Sequence, residues 1–169
     1  MLLAIETSSL VSSVALLHDD TLKAELTIQA RLTHSEQLMP HIADMLDKAS
    51  VSKTQIDGVA VAIGPGSFTG LRIGLATAKG LAFAWNIPII GVETPTSLAW
   101  NFVGASDYIC PLIDAQKGNV YASLYQWQHD TLQQIEDKKY EANLRAKGIP
   151  AERIRKYGFA FEGKNVLIG

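Results

Sequence analysis

The stretch that decides the fold is Ile63-Gly64-Pro65-Gly66-Ser67-Phe68-Thr69-Gly70-Leu71-Arg72-Ile73-Gly74-Leu75-Ala76-Thr77-Ala78-Lys79-Gly80-Leu81-Ala82-Phe83-Ala84-Trp85. The apolar run from Val59 to Ile63 stops at glycine, which reads as a buried strand breaking into a tight turn at Gly64, Pro65 and Gly66. Ser67 or Thr69 can then cap a helix by accepting hydrogen bonds from its free first-turn N–H groups. Leu71, Leu75, Ala78, Ala82 and Trp85 fall at helical spacing and make an apolar stripe. Gly70, Gly74 and Gly80 run against that pattern, because glycine costs about 1 kcal/mol relative to alanine inside a helix. Close approach of another backbone would compensate. Gly66, Gly70, Gly74, Ala78 and Ala82 recur every four residues, so one strip of the helix is nearly bare backbone. It suits either the chain's own sheet or a partner.

A glycine-rich turn between strand and helix also raises the question of phosphate. A P-loop requires Gly-Lys-Ser/Thr at its end, whereas Gly70 is followed by Leu71 and Arg72. The dinucleotide fingerprint Gly-x-Gly-x-x-Gly is missed by one position, since Thr69 stands where the third glycine belongs. The helix N-terminus still offers N–H groups and a dipole to an anion.

Outward from this stretch, Leu2–Thr7, Val11–Leu17 and Leu22–Ile28 read as three strands of an antiparallel meander. Thr33-His34-Ser35-Glu36 has the form of a capping box before a helix reaching Ala49, with Pro40 inside it to kink it. Ile56–Ile63 is the next strand, Ser67–Trp85 the central helix, Ile87–Val92 a strand and Pro95–Phe102 a short helix. The order is β-β-β-α-β-α-β-α. The pattern then restarts. Shifted by 108 positions, Pro111-Leu112-Ile113-Asp114-Ala115 falls on Leu3-Ala4-Ile5-Glu6-Thr7, and Ala122–Tyr125 falls on Val14–Leu17. A repeat of half the chain predicts two lobes, 1–104 and 105–169, of similar build. Glu6 and Asp114 then end equivalent strands and face a shared cleft. The closing strand of the second lobe is Asn165–Ile168, with no helix behind it.

Composition excludes several classes. The 169 residues are 47% hydrophobic and 19% charged with a net charge of -2, which describes a globular chain with no general field to attract nucleic acid. The mixed charges between Glu136 and Lys156 read as a solvated helical surface. Cys110 is the single cysteine and sits in an apolar run, which rules out a disulfide framework and a thiolate cluster. The N-terminus lacks a basic n-region, and the apolar stretch Leu81–Val92 is too short to span a bilayer. These features point to the cytosol. His34 and His41 have no third ligand in view, and Ser8 and Ser67 have no base nearby in sequence, so neither a metal site nor a serine hydrolase is indicated.

A doubled β-β-β-α-β-α-β-α unit is the build of the actin, sugar-kinase and Hsp70 superfamily, an α/β, ribonuclease H-like fold. Ala4-Ile5-Glu6-Thr7-Ser8-Ser9, Thr33–Pro40, the Gly64–Gly80 segment, Ile89-Ile90-Gly91-Val92 and Ile113-Asp114-Ala115 together resemble the TsaB (YeaZ) family over nearly the whole chain. That family usually continues with further helix and strand, so the resemblance implies a C-terminally truncated second lobe. It also implies an accessory role in making threonylcarbamoyladenosine beside the anticodon of tRNA. The implied partners are a TsaD-like catalytic subunit, a TsaE-like ATPase and, when alone, a second copy, with tRNA met only through the complex and no membrane. TsaD-like proteins hold a metal through two histidines after the Ile-Gly-Val strand, and here Thr94 and Leu98 stand in those places. No cofactor, metal or catalytic residue is therefore expected. Glu6 and Asp114 remain weak candidates for nucleotide and Mg2+, the turn Thr7-Ser8-Ser9-Leu10 lacking the glycine of a phosphate-wrapping hairpin. The alternative class is an actin-like ATPase or small-molecule kinase. The expected partner interface is Leu38, Met39, Ile42 and Met45 with Gly70, Gly74 and Ala78, two neighbouring helices bundling with a partner's equivalent pair.

Overall fold

The structure is a computed structural model that describes residues 1–29, 34–116 and 119–135, together with the backbone of 154–155, 159–162 and 165–168. It divides into two compact units, Met1–Thr94 and Pro95–Gly169. The boundary thus lies ten residues before the one read from the sequence. The helical turns after Thr94 bury Ala99 with Ile109 and Tyr125, which makes that segment part of the second unit.

In the first unit, strands β1 (Leu2–Glu6), β2 (Val11–His18), β3 (Thr21–Gln29), β4 (Gly58–Gly64) and β5 (Ile89–Glu93) form one sheet in the order β3-β2-β1-β4-β5. β1, β2 and β3 pair antiparallel, and β4 and β5 join β1 in parallel. Register sets the core. Leu3 lies beside Leu16 and Val59, and Ile5 beside Val14 and Val61, so these six side chains share one face. All six are buried there with Leu38, Ile42 and Met45 of helix α1 (His34–Lys48) and Ala78, Leu81 and Ala82 of helix α2 (Phe68–Trp85). The capping box proposed at Thr33 lies outside the described residues, while Pro40 sits within α1 as expected.

Helix α2 begins as its sequence requires. Ser67 is the N-cap and accepts the Gly70 N–H at 3.2 Å, and Asn86 ends the helix in the left-handed region with φ 54°. The buried stripe differs from the expected one. Gly70, Gly74, Ala78, Leu81 and Ala82 are buried, while Leu71, Leu75 and Trp85 are only half-buried. The helix is rotated so that its smallest residues face inward, because something passes too close for larger ones.

In the second unit, helix α3 (Thr94–Ala99) runs on into a turn at Trp100–Phe102. β6 (Leu112–Gln116) pairs antiparallel with β7 (Asn119–Ala122), and β8 (Tyr125–Gln128) with β9 (Thr131–Gln134). Tyr125 is buried and shares a 3.0 Å hydrogen bond with the Thr96 hydroxyl, while Trp100 and Trp127 meet edge-on at 5.0 Å. The strand order of β6 and β7 echoes β1 and β2, but the register does not carry over. Asp114 lies opposite Val120, one residue from the position that a shift of 108 requires, and β7 ends at Ala122 instead of continuing to Tyr125. Further on, the backbone of Ile154–Arg155 runs parallel to β7, whereas β3 is antiparallel to β2. Most of the charged segment 136–156 lies outside the described residues.

Candidate functional site

The glycine strip of α2 meets the turn that follows β1. Thr7 and Ser8 are buried there, and the Thr7 hydroxyl donates to the Gly70 carbonyl at 2.9 Å. The Ser67 N–H donates to the Ser8 carbonyl at 2.6 Å. A Cβ added at Gly70 would lie less than 3.0 Å from the Thr7 carbonyl oxygen, one at Gly74 equally near the Thr7 hydroxyl, and one at Gly66 equally near the Ser8 carbonyl. Three glycines one turn apart therefore form a groove for a single dipeptide. The backbone approach anticipated from the sequence comes from the chain's own first turn, and that approach stabilises the helix against the propensity cost of its glycines.

This contact corrects the expected interface. Gly70, Gly74 and Ala78 are covered by the chain itself, and Leu38, Ile42 and Met45 belong to its own core. Of the seven residues named, only Met39 is exposed, at 47%. The apolar surplus on α1 is absorbed because the helix packs over β2 and β3 of the sheet and also against α2. Gly80 differs from the other glycines. A Cβ there would meet nothing within 4 Å, and the residue is exposed.

The opposite arc of α2 carries the residues that the sequence reading passed over. Phe68, Arg72, Ala76, Lys79, Gly80 and Phe83 are all exposed, Phe68 to 67% and Phe83 to 90%. The Arg72 guanidinium lies 3.7 Å from the centre of the Phe68 ring, a cation–π contact that holds both side chains along the helix. Beside Phe83 a shallow cleft of 530 Å³ is lined by Lys79, Ala82, Asn86, Ile87, Pro88 and Ile89. The signal was present in the sequence: 68, 72, 76, 79 and 83 keep helical spacing on the side away from the glycines. Leucine, with its stronger apolar signal, drew attention to the other stripe.

The proposed acids fare differently. Glu6 ends β1, half-buried, and its carboxylate accepts the Ser8 N–H at 2.5 Å, so it braces the same turn. Asp114 is exposed in the middle of β6 and does not end its strand. Thr94, at one of the two places that histidine occupies in TsaD-like proteins, is buried, and Leu98 is exposed. Among the described residues no group of three His, Cys, Asp or Glu is placed to hold a metal. Two of the groups that an anion at the α2 N-terminus would use are engaged, the Ser67 N–H by Ser8 and the Gly70 N–H by the Ser67 hydroxyl. No helix among the described residues is long and apolar enough to cross a membrane.

The family described as "TsaD: tRNA N6-adenosine threonylcarbamoyltransferase" matches residues 28–165. The protein belongs to this family, on its TsaB (YeaZ) branch. It is 38% identical over 134 residues to the tRNA threonylcarbamoyladenosine biosynthesis protein TsaB of Bacillus subtilis, a match covering 79% of this chain and 58% of that protein. To the protein of the same name from Escherichia coli it is 40% identical over 128 residues, covering 74% and 54%. The structure of YeaZ from Pseudomonas aeruginosa superposes with a TM-score of 0.71 at 34% identity, over 80% of this chain and 64% of that one. The α/β actin-like fold follows from the family and from that likeness. The chain spans little more than half the length of the curated relatives it matches.

Proposed function

We propose that the protein takes part in making threonylcarbamoyladenosine in tRNA, as a non-catalytic subunit that binds and activates a TsaD-like enzyme. The pathway is the one that the names of the B. subtilis and E. coli relatives state. The observation that carries the accessory role is the outer arc of α2, where Phe68 and Phe83 stand in water beside Arg72 and Lys79. Exposed aromatics with arginine on a rigid element are the composition of a protein contact. Met39 of α1 extends the same reading. The face replaces the buried set first expected. A TsaE-like ATPase joins the pair, and tRNA is met through the assembly.

The chemistry-bearing positions agree with this reading. Thr94 and Leu98 cannot supply imidazole to a metal, and the turn after β1 is packed on α2 with Thr7 and Ser8 buried. The test is reconstitution of the modified nucleoside from purified components. Synthesis should require this protein together with a TsaD-like subunit. Synthesis by this protein alone, or full synthesis when it is omitted, refutes the proposal.

A further inference from the structure

We propose that the free edge of β5 is a docking site for an extended segment of a partner protein, which adds to the sheet antiparallel to β5 with a basic residue opposite Glu93 and an acid beside Lys79. This edge belongs to the sheet and serves whether or not α2 binds a TsaD-like subunit.

Backbone chemistry comes first. β5 closes one side of the sheet, pairing with β4 and, among the described residues, with no strand beyond it. The Val59 N–H donates to the Pro88 carbonyl, and β4 and β5 run parallel with Val59 beside Ile89. In such a ladder alternate residues of a strand bond to the same neighbour, so Ile89 and Gly91 turn their N–H and C=O groups outward, away from β4. The two edges of the sheet differ. β3, at the other margin, carries Lys23 and Glu25 within its length, charges of the kind by which an edge resists addition. β5 reads Ile-Ile-Gly-Val before its first charge at Glu93.

The side chains agree with the backbone. Ile89 and Ile90 are 40% and 59% exposed on opposite faces of β5. On the face of Ile89, the exposed Ile63 of β4 leans over Gly91, where an added Cβ would lie less than 3.0 Å from it. Phe83 and the 530 Å³ cleft, which Ile87, Pro88 and Ile89 help to line, extend that face past the start of the strand. An added strand finds apolar surface on both of its faces and covers Ile63, Phe83, Ile89 and Ile90 together. In this mode main-chain hydrogen bonds supply the affinity and alternate side chains the selection. Charge sets the direction. Lys79 lines the cleft at the start of β5, and Glu93 stands exposed at its end. Antiparallel pairing is the more stable per residue, and a strand running from base to acid meets both charges in that direction.

The test titrates the whole chain with the peptide acetyl-Lys-Thr-Val-Thr-Val-Thr-Asp-amide up to about 1 mM, the weak end of specific recognition, and follows backbone amides by NMR. Saturable binding is expected, with hydrogen exchange slowed at the Ile89 and Gly91 amides and unchanged at Ile90, which already faces β4. Methylating one alternating set of the peptide's amides should weaken binding at least about tenfold, and methylating the other set should leave it within about twofold. Ile90→Lys should weaken it at least about fivefold with the melting temperature unchanged, since that side chain is exposed. Lys79→Glu should weaken it about two- to fivefold, and lysine in place of the peptide's aspartate should restore it. No saturation, equal effects of the two methylated sets, or new protection along β3 instead of β5 would each overturn the inference. Amides of Ile89 and Gly91 already slow before peptide is added would overturn it too, because the edge would then be held by this chain or a second copy.

Discussion

Alanine scanning of the α2 glycines separates the two faces of that helix with one chemical change. Outside its setting, Gly→Ala in a helix interior gains about 0.5–1 kcal/mol. Gly80→Ala should realise that gain, because its new methyl meets nothing within 4 Å. Gly74→Ala should reverse it. Its methyl would sit less than 3.0 Å from the Thr7 hydroxyl, a buried group whose hydrogen bond to Gly70 leaves it nowhere to move. Overpacking costs about 1–3 kcal/mol, and losing the Thr7–Gly70 bond in a buried place adds about 1–3 kcal/mol. After the propensity gain, the net loss is about 1–5 kcal/mol. On a unit of this size that lowers the melting temperature by roughly 4–40 °C, at about 4–8 °C per kcal/mol. Thermal and urea unfolding followed by circular dichroism read both variants. The obstructing atom also makes a finer distinction. At Gly74 it belongs to a side chain, so Thr7→Ala should recover at least about 1 kcal/mol in the Gly74→Ala background, as coupled neighbours do. At Gly70 it is the Thr7 carbonyl, and no substitution of Thr7 should rescue Gly70→Ala. If Gly74→Ala matches Gly80→Ala in stability, or Thr7→Ala fails to rescue it, the packing argument is wrong.

Three further outcomes follow from the same contacts. Thr7→Val keeps the shape but removes the hydroxyl's bond to the Gly70 carbonyl, which keeps its helical donor at Gly74, and should cost about 0.5–1.5 kcal/mol in urea unfolding. Ser67→Ala removes the N-cap acceptor of α2 and should cost about 1 kcal/mol, read the same way. Met39→Glu should leave the fold intact, because that side chain is half in water, whereas Ile42→Glu should unfold the first unit by burying a charge in its core. Equal melting temperatures for those two would place Ile42 outside the core.

Local chemistry is strong in the first unit, and so the sequence determined much of it. The strand–turn–helix at Gly64–Trp85, the meander before it and a cap at Ser67 or Thr69 each follow from a few consecutive residues, and the elements stand in the structure within two residues of their expected places, with Ser67 as the cap. The family resemblance rested on the same local runs. What only the tertiary structure decided was direction. A glycine every fourth residue says that something comes close to the helix, but periodicity carries no information on whether that neighbour is the chain or another molecule. The answer lies 63 residues away at Thr7, whose hydroxyl meets Gly70, and a contact of that separation leaves no mark on local spacing. Once that turn claims the glycine strip, α2 must rotate its small residues inward, and Phe68 and Phe83 are carried to the surface. In the same way the repeat at 108 residues predicted strand order in the second unit but not register, because pairing is set by where a turn tightens. There Asp114 pairs with Val120, one residue from the partner that the repeat predicts.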